Sequence, residues 1–233
     1  MFAQLLDIVK KHPTREKILL QSSGASGNLL VDRICREQGG VINFRVMTTN
    51  SLAINFASLE MARQGVTILP VGGGDLIVQN ILPAKGYYHH DETMPGLPGA
   101  IWQSLAELRL AEISPDQIRT LKLEPAEKSI ALGELLAKTM AALQNAKFVD
   151  WAGVFAMAIK NAPNMARKQL LIVPANLSMT GLEKKFVDSL KCEKIILDFH
   201  AGDDLLIPET WLDKRAKPLH VVSDPKATPA KLK

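Results

Sequence analysis

Residues 22–29 have the spacing of a phosphate cradle without its phosphate-gripping side chains. The stretch Lys17-Ile18-Leu19-Leu20-Gln21-Ser22-Ser23-Gly24-Ala25-Ser26-Gly27-Asn28-Leu29-Leu30 reads as a short strand, a Gly/Ser loop and the start of a helix. Laid over G-x-x-x-x-G-K-S/T, Ser22 takes the first glycine, Gly27 the second, Asn28 the lysine and Leu29 the hydroxyl. In a working cradle the lysine neutralises the β- and γ-phosphates and the hydroxyl holds Mg²⁺. Asn28 brings no positive charge and Leu29 no metal ligand. Ser22, Ser23, Gly24, Ala25, Ser26, Gly27, Asn28 and Leu29 are therefore expected to form a degenerate phosphate loop that does not hydrolyse ATP. Backbone N–H groups at a helix N-terminus attract anions even so; the plainer reading is a tight strand-to-helix turn. The Ser23-Gly24-Ala25-Ser26-Gly27 run also permits a dinucleotide-binding reading. That fingerprint's third glycine would fall at Leu30, however, and Arg45 stands where an acidic residue would end the second strand.

Val46-Met47-Thr48-Thr49-Asn50-Ser51-Leu52-Ala53 closes a second strand and opens a second helix. Small polar side chains at the C-terminal edge of a parallel sheet lie where α/β folds meet ligands. Thr48, Thr49 and Asn50 can hydrogen-bond phosphate or sugar there; a simple N-cap, Thr49 or Asn50, is the structural alternative. Later, Leu170-Leu171-Ile172-Val173 is followed by Pro174-Ala175-Asn176, where a nucleotide hydrolase would carry Asp or Asp-Glu to hold Mg²⁺ and position water. The next carboxylate is Glu183. Two parts of the same chemistry are thus missing independently. His89-His90-Asp91-Glu92 contains metal-ligating side chains, but neighbours in sequence rarely converge on one ion, and a solvated loop is expected. Asp198 and Asp203-Asp204 read as solvated charges. No catalytic residue, metal site or cofactor is expected.

These residues need elements to hold them. Residues 2–11 form an amphipathic helix stopped by Pro13. Ile18–Gln21 is a strand, 28–38 a helix ended by Gly39-Gly40, 41–47 a strand and 49–63 a helix. A βαβα order gives a parallel sheet with crossover helices. Val66–Val71 is a possible third strand, and the glycines at 72–74 read as a flexible joint. Beyond a Gly/Pro-rich loop come helical patterns only, near 99–110, 115–121, 129–145 and 150–161. Strand character returns at Leu170–Val173, Lys194–Phe199 and Leu219–Ser223 around a helix near 178–190. Residues 1–85 and 166–233 are expected to make an α/β core, 86–165 an inserted helical subdomain, and 224–233 a loose tail.

The 233 residues carry a net charge of +4, too mild by itself to demonstrate nucleic-acid binding. Aromatic content is 5%, which disfavours a base-stacking surface of the usual single-strand-binding kind. No apolar run is long enough to span a bilayer. Asp7 interrupts the stretch where a secretory signal would be apolar. Cys35 and Cys192 lack metal-ligand spacing and are expected to be reduced packing thiols of a cytoplasmic protein.

The order of these features resembles the first helicase-like domain of superfamily 1 helicases. Thr48, Thr49, Asn50 and Ala53 match that family's T-x-T-N-x-A-A segment, while Met47 and Leu52 depart from it. The closer resemblance is to the N-terminal region of the B subunit of AddAB-type helicase–nucleases and to PD-(D/E)XK nuclease-family relatives. It rests on Ile42-Asn43-Phe44-Arg45-Val46 with Ser51-Leu52-Ala53, on Leu105–Ala111 followed by Ser114-Pro115, on Phe148–Gly153, and on Leu170–Pro174 with Thr180–Glu183. The resemblance implies a P-loop-helicase-like (RecA-like) α/β fold with an inactivated motor. It also implies a role in DNA repair or recombination, single-stranded DNA near Arg45, Thr48, Thr49 and Asn50, a helicase partner subunit, and a nuclease domain downstream of a fragment. Two rival expectations are an NAD(P)-dependent enzyme and a purely structural domain.

Overall fold

The computed structural model describes residues 2–89, 93–162 and 169–198. The expected strand at 219–223, the tail at 224–233, the Asp203-Asp204 pair and the His90-Asp91-Glu92 part of the loop lie outside them.

The first strand is apolar almost throughout because it is buried on both sides. β1 (Lys17–Leu20) is flanked by β2 (Phe44–Met47) and β5 (Leu170–Pro174), and β6 (Glu193–Leu197) pairs with the far side of β5. All pairings are parallel. Side chains alternate between the two faces of a strand. Ile18, Leu20, Leu171 and Val173 enter one core, while Leu19, Leu170 and Ile172 enter the other. The first face is covered by α3 (Thr49–Gln64), α8 (Trp151–Asn161) and α9 (Gly181–Ser189). The second is covered by α1 (Phe2–Lys11) and α2 (Gly24–Gln38). The α/β class and the parallel sheet are as the sequence led one to expect.

Lys17 opens β1 fully buried. Its ammonium donates to the carbonyls of His12 and Arg15, each at 2.6 Å, and to that of Pro13 at 3.4 Å, which ties down the connection from α1. Burial pushes its pKa down; the three carbonyls favour the charged form against that desolvation.

Between the two halves of the sheet lie α4 (Gly73–Ile81), α5 (Leu97–Leu110), α6 (Pro115–Arg119) and α7 (Ala126–Asn145). They pack around their own core of Val78, Ile101, Leu105, Ile118, Leu135 and Leu136. The helical region thus begins at Gly73, not at residue 86. The last expected helix of the insertion, α8, belongs instead to the sheet: Val154, Phe155 and Ala158 sit in the same core as β1 and β5. The glycine triplet is not a joint. Gly72 precedes α4 in a left-handed conformation, and Gly74 lies where a Cβ would come within 2.1 Å of the Trp102 ring. The strand expected at Val66–Val71 forms only as β3 (Thr67–Ile68), and with β4 (Phe148–Val149), which was not expected, it makes a separate two-stranded parallel ladder. Cys35 and Cys192 are free and half-buried, and burial pushes the Cys192 thiol up.

Candidate functional site

The Gly/Ser loop joins the central strand to a helix, as its spacing predicts, but it is shorter than a cradle. Only Gln21, Ser22 and Ser23 separate β1 from α2, which begins at Gly24 rather than near Asn28. The cause is local. Ser23 is an extended N-cap whose Oγ accepts from the Ser26 amide at 3.3 Å, and Ser26 Oγ donates back to the Ser23 carbonyl at 3.0 Å. Such a cap satisfies one of the amides that an anion would otherwise use. Ala25, Ser26, Gly27, Asn28 and Leu29 are consequently helical, and Asn28 and Leu29 face solvent. Gly27 is buried against β2: a Cβ there would meet Val46 Cγ1 at 1.9 Å. Its lack of a side chain lets α2 lie close on the sheet.

The second segment divides. Thr48, half-buried, caps α3: its Oγ1 accepts from the Ser51 amide at 3.1 Å and shares a 3.0 Å hydrogen bond with the Ser51 hydroxyl. The expected caps, Thr49 and Asn50, are already inside the helix. Thr49 is buried and donates to Glu183 Oε1 at 2.5 Å. Glu183 Oε2 accepts from the Thr180 amide at 2.7 Å, completing a capping box at the start of α9. The first carboxylate after β5 thus lies in the first turn of α9, and its two oxygens link the starts of α3 and α9. The box itself is legible as Thr180-Gly181-Leu182-Glu183; nothing in the sequence pairs Glu183 with Thr49. Asn50 is half-buried in the first turn of α3 and makes no side-chain hydrogen bond to a described residue. Arg45 is exposed, as its alternation with Phe44 and Val46 suggests, but its Nε sits 3.3 Å from Glu16 Oε1, on the chain just before β1. Its head is drawn to the strand-start edge, away from the end where Thr48 and Asn50 lie.

The small ladder carries the other polar centre. Arg109 clamps Asp150 through two bonds, Nε to Oδ2 at 2.5 Å and Nη2 to Oδ1 at 2.9 Å. Asp150, 6% exposed, also caps α8 by accepting from the Gly153 amide at 3.0 Å. Cavities of about 390 and 430 Å³ flank this pair. The smaller one is mostly apolar and includes Trp102, Trp151 and Asp75. Asp150 thereby ties α5 to the start of α8. Among the described residues no group of three or more His, Cys, Asp or Glu side chains could hold a metal ion, and no helix is long and apolar enough to cross a membrane.

No family model matches the chain, and no curated protein matches it.

Proposed function

We propose that the chain is a non-catalytic, helicase-like module of a DNA repair or recombination nuclease assembly. It scaffolds partner domains and can guide a single strand along its surface. The observation that carries the reading is the closed C-terminal edge of the central strands. At the β1, β2 and β5 ends, Ser23 and Thr48 cap helices, and Thr49 and Glu183 hold each other. The groups that would grip a triphosphate or its Mg²⁺ are replaced by Asn28, Leu29 and the Pro174-Ala175-Asn176 turn. The finer assignment, a RecA-like topology with an inserted helical subdomain, rests on the order of motifs and on the separate core of α4–α7. The helicase partner subunit and a downstream nuclease domain belong to the same reading. Of the four residues proposed to contact the strand, Thr48 and Asn50 are half-buried at the start of α3, Thr49 is buried against Glu183, and Arg45 is paired with Glu16.

The test is paired. The purified chain should show no Mg²⁺-dependent turnover of ATP or GTP. It should bind labelled single-stranded DNA at low salt, with affinity falling linearly as the logarithm of salt rises. Nucleotide turnover rejects the inactivated-motor reading, and absence of DNA binding by folded protein rejects strand guidance.

A second reading has one observation in its favour. Gly24 and Gly27 open a helix three residues after a central parallel strand, and the absence of a side chain at Gly27 lets that helix lie close on the sheet, although Leu30 stands where a dinucleotide-binding turn has its last glycine. Calorimetric titration with NAD(H) and NADP(H) decides it; flat traces for all of them remove it.

A further inference from the structure

Among the described Phe, Tyr and Trp side chains two are exposed, Tyr87 and Trp151, and Trp151 stands beside Asp75 and Asp150. Tyr87 alone has cations for neighbours. It follows Lys85 and Gly86 in the loop after α4 and lines a cleft of about 150 Å³ with Lys85, Tyr88, Lys138 and Glu134. The ring is held in place. Tyr88, half-buried, packs against the Val78–Leu136 core, and Tyr87 stands on it edge to face, with centroids 4.8 Å apart and planes at 83°. Gly86 sets the loop at φ 128°, a conformation that suits glycine alone. Neither lysine has a described acidic partner, and Glu134 pairs with neither of them. Two full positive charges therefore stand against one negative charge around an anchored aromatic ring.

We infer that this cleft is a binding surface for single-stranded nucleic acid, with a base stacked on Tyr87 and backbone phosphates on Lys85 and Lys138. Stacking on an aromatic side chain combined with phosphate neutralisation is how unpaired strands are held without regard to sequence. The surface lies on the helical segment, outside the Thr48–Asn50 edge. It deepens the proposed strand-guiding role and rests on it where the strand is DNA. The low aromatic content of the chain does not oppose it, because one platform needs only one anchored ring.

Fluorescence anisotropy of the full chain with labelled oligothymidine and oligouridine of about 15 nucleotides tests the inference. Tyr87→Ala should weaken binding about 5- to 100-fold, whereas Tyr87→Phe should keep it. Lys85→Ala and Lys138→Ala should each lower the slope of log affinity against log salt by about 0.7, and Glu134→Gln should tighten binding. Thr48→Ala and Asn50→Ala serve as comparators. Binding that ignores Tyr87 but responds to the comparators overturns this surface and leaves the proposed function standing. Tyr87-dependent binding of oligouridine alone keeps the surface and sinks the DNA reading. No binding of either oligonucleotide by protein with a cooperative thermal transition overturns the surface together with strand guidance.

Discussion

Gly27→Ala separates a packing glycine from a ligand-loop glycine. The added Cβ would meet Val46 Cγ1 at 1.9 Å, Cβ at 2.9 Å and Cγ2 at 3.1 Å. Turning Val46 about χ1 relieves the first of these contacts but not the second, so α2 must move off β2. Alanine in a helix gains about 1 kcal/mol over glycine. Overpacking costs about 1–3 kcal/mol and occasionally more, and a contact this deep belongs at the upper end. The net expectation is a loss of about 1–2 kcal/mol. For a protein of this size that lowers Tm by about 2–8 °C, readable by calorimetry or urea unfolding. Val46→Ala removes two of the three clashing atoms. The double variant should recover part of the loss, with a coupling of about 0.5–3 kcal/mol by a double-mutant cycle. A Gly27→Ala protein as stable as the parent, with additive effects at Val46, would refute the packing argument and return the glycine to the loop chemistry its spacing suggests.

Arg109→Met should destabilise by about 3–5 kcal/mol, since it leaves a buried carboxylate with only the Gly153 amide. Adding Asp150→Asn should restore part of that in chemical denaturation, because an uncharged cap replaces the stranded charge. Glu193 accepts from Arg15, and this hydrogen bond with the adjoining charge holds its carboxyl below the usual range. The folded state therefore binds fewer protons at that site than the unfolded one. The stabilisation is present above the unfolded glutamate value of about 4.3 and is lost as pH falls through the lower folded value. The Tm difference between the parent and Glu193→Gln should accordingly shrink toward zero as the pH is lowered through that window; a difference that stays constant with pH contradicts the pairing.

Glu183 shows how site geometry escapes a linear reading. It is 134 residues from Thr49, and their bond exists because β2 and β5 flank β1 in the sheet. Thr48 and Thr49 look equivalent in sequence, yet one backbone step makes the first a half-exposed cap and the second a buried donor. The exit from the helical region failed for a similar reason: α8 has the same apolar character as its predecessors, and only its neighbours, α3 and β1, assign it to the sheet's core. Of the strand expected at Val66–Val71 only Thr67–Ile68 pairs, and its partner β4, two residues long, carries no periodicity to read. Tyr87 was hidden by an average, because composition counts rings and not where they stand.

The sequence by itself determined the α/β class, the parallel strands at Ile18, Phe44 and Leu170, and the residue types Asn28, Leu29 and Pro174-Ala175-Asn176 on which the inactivated-motor proposal rests. Those are properties of residue type and short-range period, written along the chain. Tertiary structure alone decided which polar groups are spent on one another, where α2 begins, how close it lies to β2, and which aromatic ring shares a cleft with Lys85 and Lys138. Such facts depend on contacts between distant segments, which exist only once hydrophobic burial has brought the strands and helices together.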